Sequence, residues 1–478
     1  MGSFYWYDLE TFGRDPRRSR IAQFAGVRTD EDLNPIGEPL VLFCRPADDL
    51  LPSPGATLVT GLTPQQALKE GLPEAEFIGR IHDELAQPGT CALGYNSLRF
   101  DDEFIRFCLY RNFHDPYERE WRNGNSRWDL LDMMRLAHAL RPEGLEWPRR
   151  EDGAPSFKLE HLSVANGIEH GQAHEALADV RALIALARRL KRAQPRLWDF
   201  YLALRDKKKA AASVDVIAQT PLLHISGKYP ASRGCAALVQ PLSVHPQITT
   251  RVIAFDLDSE PDALLTLAPD EIADRLYTPA ADLPEGEQRI PLKEIHLNRS
   301  PALVPLNFLR DEDFDRLGIA RAACLARAKR LHAAPDVVEK VRRVYAATSE
   351  RAPADDVDAA LYDGFLPDTD RRQLPRVRST PPEALGDTRF RFSDPRYPEL
   401  LFRYRARNWP GTLTPAERDR WDAYRRERLE TERGWSEYSF TSYSAEIATL
   451  RAAHPDDARV QTLMDALEAW GRNIASSL

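Results

Sequence analysis

The sequence predicts an α/β domain first, a smaller and largely β domain next, and a helical, charged region last. Three observations carry this reading. Apolar segments of strand length crowd the start of the chain and give way to helical patterns. From about Val214 to Arg310 the texture changes to short β-like runs broken by Pro and Gly. Beyond Ala352 helix formers and charge dominate.

Ser3–Leu9 is dense enough in apolar and aromatic residues for a buried strand. Ile21–Arg28 and Pro39–Arg45 are further strands, separated by the turn-prone Asn34-Pro35-Ile36-Gly37, and Thr90–Tyr95 is a fourth candidate. Helical patterns cover Asp101–Arg111, Leu130–Leu140 and about Glu175 to Lys191. In the last of these, Leu177, Val180, Ile184 and Ala187 form an apolar stripe. Gln194-Pro195-Arg196 marks a boundary. In the middle region Leu222–Ile225, Val252–Asp256, Ile290–Leu292 and Glu294–Leu297 read as short strands, and Arg310–Arg343 as helical. Ala352-Pro353-Ala354-Asp355-Asp356 reads as a linker, and Asp456–Ala475 as a final amphipathic helix.

Composition excludes several classes. The 478 residues suffice for two or three cores, and 43% hydrophobic with 29% charged residues is ordinary for a soluble globular protein. No run of apolar residues is long enough to span a membrane, and no secretory pattern precedes Phe4-Tyr5-Trp6-Tyr7-Asp8. The five cysteines are scattered without a Cys-x-x-Cys pair, which fits reduced thiols in a cytoplasmic protein. A net charge of −8 argues against a general nucleic-acid coat, but not against an enzyme with positive charge concentrated locally.

Three acidic groups carry the chemistry. In Tyr7-Asp8-Leu9-Glu10-Thr11 the strand alternation puts Asp8 and Glu10 on one face with Phe4 and Trp6, while Tyr5, Tyr7 and Leu9 face the other way. Adjacent carboxylates at the end of an apolar strand repel each other and resist desolvation, and a divalent cation relieves both costs. The plainer alternative is a solvated strand end. Asp101-Asp102-Glu103 opens a helix, where the dipole alone favours acidic residues. Asp179 lies beside the apolar stripe of its helix. His174, five residues earlier, would share a site with it only from the loop entering the helix; a helix-terminal histidine and a partly exposed aspartate are the plainer pair.

Taken together, Asp-x-Glu, Asp and Asp with a histidine five before the last resemble the signature of the DEDD exonucleases of the histidine subtype. Attack by water on a phosphodiester is served by two Mg²⁺ ions about 3.5–4 Å apart, held by hard oxygen ligands. A neutral histidine can accept the proton of that water.

The resemblance extends to the bacterial exodeoxyribonuclease I family. It runs through Tyr95–Glu103, Tyr110–Tyr117, Asn125–Asp132, Leu140–Gly144, Leu159–His170, Asp313–Gly318 and Leu401–Asn408, and is weakest between about Ser226 and Gln288. It implies an α/β RNase H-like exonuclease domain (1–193), an SH3-like β domain with flanking helices (194–345) and a C-terminal helical domain (350–478) around a groove for single-stranded DNA. It also implies 3′→5′ hydrolysis to mononucleotides in DNA repair and recombination, by a monomer. Asp8, Glu10 and Asp179 would bind Mg²⁺, with Mn²⁺ as a substitute; Asp101, in preference to Asp102, would be the fourth carboxylate, and His174 the general base.

Arg106, Tyr117, Trp121, Arg135 and Lys158 match DNA-contacting positions of the family, with Lys158 standing where arginine is expected. Lys207-Lys208-Lys209 is a basic turn or a further DNA contact. Arg403-Tyr404-Arg405-Ala406-Arg407-Asn408-Trp409 is a nucleic-acid surface or an interdomain contact. Arg141 and Arg310 match positions that bind the acidic C-terminal tail of the single-strand DNA-binding protein, and Phe200 stands where tyrosine is expected in that pocket. Two alternatives remain open on the sequence: an RNA-trimming or proofreading exonuclease, which would generally lack the long extension, and a non-catalytic single-strand scaffold, which would not need an intact carboxylate set.

Overall fold

A computed structural model of the chain describes residues 2–168, 175–347 and 352–478. The fold divides into two compact units. One comprises Met1–Ser126, His170–Arg181 and Arg351–Leu478, the other Arg127–Glu169 and Ala182–Glu350.

The first unit is built on strands β1 (Ser3–Thr11), β2 (Ile21–Thr29), β3 (Leu40–Phe43) and β4 (Thr90–Gly94), in the order β3-β2-β1-β4. The first three pair antiparallel, and β4 runs parallel to β1. Both faces of β1 are covered, as its near-continuous apolar sequence requires. Tyr5, Tyr7 and Leu9 enter a core with Phe24, Phe77, Ile81 and Phe104. On the other face Trp6 is fully buried, and its indole N–H donates to the Thr29 hydroxyl at 3.0 Å. Strand β5 (Ser126–Asp129) begins at the boundary between the units.

The C-terminal part of this unit is helical, with the main helices at Arg396–Asn408, Pro415–Glu430, Phe440–Ala453 and Ala458–Ser476. It shares cores with the sheet domain: Phe107, Tyr110 and Phe113 pack with Leu374, Tyr397, Leu400 and Tyr404, and Leu51 packs with Tyr443, Leu467 and Trp470.

A buried ion network joins the same two segments. Asp358 is fully buried and is paired with Arg20 (3.3 Å), Arg403 (3.4 Å) and Arg407. Arg407 also holds Asp49 at 2.8 Å, and Arg428 holds Asp356 at 3.4 Å and donates to the Asp49 carbonyl at 2.9 Å. Arg405 pairs with Glu417 at 2.5 Å. Burial alone would raise the Asp49 and Asp358 carboxyls, but the surrounding arginines outweigh it and hold both below the usual range. The arginine-rich segment 403–407 therefore faces inward. Of its two sequence readings, the contact between segments is the one the structure shows, and the nucleic-acid surface is corrected.

The second unit contains an antiparallel sheet of β6 (Leu222–Ile225), β7 (Ala236–Val244), β8 (Arg251–Asp256), β9 (Leu292–His296) and β10 (Ala302–Pro305), ordered β10-β6-β7-β8-β9. Two strands were absent from the sequence reading. Pro241 inside β7 disguises it, and the ladder accommodates the proline with a register shift between Pro241 and Ser243. The two runs around residues 290–297 are one strand, β9. The expected helical stretch 310–343 is three helices, Asp311–Leu317, Arg321–His332 and Asp336–Ala346; Gly318, at φ 63°, ends the first. Trp128 packs edge-on against Trp198 at 4.8 Å. All five cysteines are buried free thiols, and no described helix is long and apolar enough to cross a membrane.

Removing one member of a buried ion network leaves its partners charged and dry. Asp358→Asn is expected to cost about 3–5 kcal/mol, in low and high salt alike, because buried pairs escape screening. Urea unfolding at two salt concentrations measures this; a loss under about 1 kcal/mol would show that the arginines find other partners.

Candidate active site

The two-residue period of β1 places Asp8 and Glu10 on one face, opposite Ala25 and Gln23 of β2. Asp179 reaches them from the first turn of the helix Ala176–Ala193, in which Val180, Leu183 and Ala187 are buried. Ligand oxygens of Asp8, Glu10 and Asp179 all lie within 4.8 Å of one another. Three carboxylates at that separation raise one another's proton affinity. Burial first, then the Asp101 and Asp179 charges, lift the Asp8 carboxyl well above its ordinary value. Burial, Asp8 and Asp179 push Glu10 up to about 9.

Asp101 and Asp102 are neighbours in sequence with different roles. Both are buried in the first turn of the helix Asp101–Arg111. The Asp102 carboxylate accepts from the Tyr7 hydroxyl at 2.7 Å and from Arg119 at 2.6 Å. This ties the underside of β1 to the helix. Asp101 instead acts on Asp8 through its charge, although it does not belong to the close trio. His174 lies outside the described residues; the helix that carries Asp179 begins two positions later, at Ala176.

The other sequence-derived residues divide between the units. In the first, Arg106 is buried and engaged by Glu120 (2.7 and 2.8 Å) and Glu103 (3.0 Å), with its guanidinium over the Tyr117 ring at 5.3 Å. Trp121 is 62% exposed. Tyr362, which the sequence reading did not single out, accepts from Arg106 at 3.2 Å and donates to Glu103 at 2.5 Å. No local signal marks it, since its partners lie 256 and 259 residues away.

In the second unit, Arg135 pairs with Asp132 at 2.8 Å over the Phe157 ring, and Lys158 is exposed beside Glu160 at 3.3 Å. Arg141 pairs with Asp313 at 2.9 Å, and the Arg310 amide donates to the same carboxylate at 2.9 Å. Phe200 lies 6.1 Å from the exposed Phe308.

Comparison with known proteins adds the family. The model described as Exonuclease matches residues 5–187, that of the Exonuclease I SH3-like domain residues 205–347, and that of the Exonuclease I C-terminal domain residues 355–474. The exodeoxyribonuclease I of Escherichia coli K12 is 47% identical over 474 residues, covering 99% of this chain and 98% of that protein. The chain belongs to the exodeoxyribonuclease I family. Its fold is similar to that of the E. coli Exonuclease I crystal structure in complex with a dA16 oligonucleotide, with a TM-score of 0.96 and 47% identity over 99% of this chain and all of that one. The zinc-bound form of the E. coli enzyme with single-stranded DNA is also similar, at TM-score 0.95 and 46% identity, again over 99% of this chain and all of that one.

The exonuclease domain of this family depends on a divalent cation, and the residues fit one. Asp8, Glu10 and Asp179 offer hard oxygen donors, and their mutual repulsion is the penalty a cation removes. The same repulsion sets a pH dependence. A carboxyl whose folded pKa is raised weakens folding once the unfolded chain ionises while the folded one does not. For Glu10 that window opens at the ordinary value of 4.5 and closes at about 9. Metal-free protein is expected to lose stability as pH rises through this window, Glu10→Gln to lose less, and added divalent cation to restore the native protein. Thermal unfolding in EDTA across this range checks it; a flat profile for the metal-free protein would contradict the repulsion.

Proposed function

We propose the following division of labour for an exonuclease that hydrolyses single-stranded DNA from its 3′ end to mononucleotides. The close trio of Asp8, Glu10 and Asp179 carries the reading. These residues would hold two Mg²⁺ ions, with Mn²⁺ as a substitute, and the bound ions would supply charge stabilisation at the attacking and leaving oxygens of the phosphodiester. Asp101, buried beside Asp8, adds negative charge that strengthens the hold on cations. His174 takes the proton from the attacking water.

Tyr117 and Trp121 stack bases without reading sequence, Arg106 braces Tyr117 from beneath, and Arg135 and Lys158 meet phosphates. In the second unit, the basic and aromatic group of Arg141, Arg310, Phe200 and Phe308 supports a contact with the acidic tail of a single-strand DNA-binding protein. The domains run over 1–193, 194–345 and 350–478, and the enzyme acts as a monomer in the cytoplasm, in DNA repair and recombination.

Digestion of a 5′-labelled single strand, its 3′-labelled twin, its duplex and a matched RNA tests this reading. The expected result is a Mg²⁺-dependent ladder shortening from the 3′ end, with duplex and RNA spared. Asp179→Asn is expected to slow the reaction on the order of 10³-fold, about 4 kcal/mol of transition-state stabilisation. His174→Ala should slow it about 10²–10⁴-fold, the usual worth of a general base. A His174→Ala enzyme of native rate would remove that residue from the mechanism, and faster cleavage of RNA would move the substrate assignment to RNA.

A further inference from the structure

The strand that carries Asp8 and Glu10 does not end cleanly. Its pairing with β2 shifts register between Glu10 and Thr11, and the chain then turns through a loop before β2 begins at Ile21. Slack directly after a metal ligand is costly, since a displacement of about 1 Å in a reacting group can lower a rate about 10²-fold.

The loop has local ties. The Thr11 hydroxyl donates to the Gly13 carbonyl at 2.7 Å, the Phe12 amide to the Arg20 carbonyl at 2.9 Å, and the Ser53 amide to the Phe12 carbonyl at 2.6 Å. The next two amides are held from far along the chain. Glu437, between the helices Pro415–Glu430 and Phe440–Ala453, accepts from the Arg14 amide at 2.8 Å and from the Asp15 amide with the same carboxylate oxygen. Charge-assisted bonds of this kind are stronger than those between neutral groups.

The surrounding contacts converge on the same place. Tyr438 meets the Ser53 hydroxyl at 3.2 Å, Glu446 accepts from the Gly55 amide at 3.1 Å, and Arg428 donates to the Arg18 carbonyl at 2.9 Å. Gly13 makes room for the carboxylate: a Cβ there would overlap the Glu437 side chain and lie 2.7 Å from the Ser19 hydroxyl.

We propose that Glu437 is a positioning residue for the exonuclease reaction. By holding the Arg14 and Asp15 amides it fixes the backbone just beyond Glu10, and with it the place of the Glu10 carboxylate against Asp8 and Asp179. The inference rests on the reading of Glu10 as a metal ligand. A purely structural tie would change stability alone, whereas a positioning role changes how the metal is held.

The test uses the full chain with Glu437→Ala, Glu437→Gln, Gly13→Ala and, as reference, Glu10→Gln. Calorimetric titration with Mg²⁺ and with Mn²⁺, without DNA, reads metal affinity; steady-state digestion of single-stranded DNA separates kcat from KM, and circular dichroism confirms folding. Glu437→Ala and Gly13→Ala are expected to weaken metal binding about 10-fold, the scale seen for groups that orient metal ligands, and to lower kcat with KM within about 2-fold. Glu437→Gln, whose amide oxygen can accept the same two bonds, should stay within about 3-fold of the native protein in both. Native metal affinity and kcat in folded Glu437→Ala and Gly13→Ala would overturn the proposal, as would an effect confined to KM. Gly13→Ala attacks the contact from the loop side, so failure of one variant to fold leaves the other decisive. If Glu10→Gln itself binds metal like the native protein, the ligand assignment fails; if it loses metal while the Glu437 and Gly13 variants do not, only the positioning role fails.

Discussion

Three carboxylates packed within 4.8 Å of one another, partly or wholly out of water, is the constraint on which the first unit depends. Such an arrangement pushes itself apart, so it needs a frame that cannot yield. The frame begins with β1, whose own aromatic side chains are buried on both faces, and it continues through Asp102, where Tyr7 and Arg119 bind the helix Asp101–Arg111 to the strand. The neighbouring aspartates at 101 and 102 divide the work: one contributes negative charge to the site, and the other is neutralised to hold the scaffold still.

The charges of the frame are treated in the opposite way. Asp49 and Asp358 are more deeply buried than the site carboxylates, yet arginines surround them and keep them ionised. The same residue type in the same unit is thus held well above its ordinary range in one place and below it in another. The difference lies in the neighbours: carboxylates around Asp8, guanidinium groups around Asp358. A cluster of like charges without compensation is the arrangement that chemistry calls for, and a compensated one is the arrangement of architecture.

Much of this was legible in the sequence because it is local. The alternation of Tyr5, Tyr7 and Leu9 against Asp8 and Glu10 fixes their faces without knowledge of the rest of the chain, and the apolar stripe of the helix 176–193 places Asp179 at one end. The signals that failed are those whose meaning depends on distant partners. Arg403, Arg405 and Arg407 look like a phosphate-binding surface until Asp49, Asp356, Asp358 and Glu417 are brought around them. Glu437 carries no signature of its own, since the amides it binds lie more than 420 residues earlier. Strand β7 was hidden for a different reason, a proline that the ladder absorbs by shifting register.

The ion network also sets an order of events during synthesis. Asp49 leaves the ribosome early, while its buried partners Arg407 and Arg428 are among the later residues made. At about 5–20 residues per second, an interval of more than 350 residues lasts roughly 20–70 seconds. Throughout that time Asp49 lacks the two guanidinium groups that reach it from the C-terminal helices. The Arg20–Asp358 and Arg407–Asp49 pairs, which tie the sheet segment to the C-terminal helices, therefore close only late in translation.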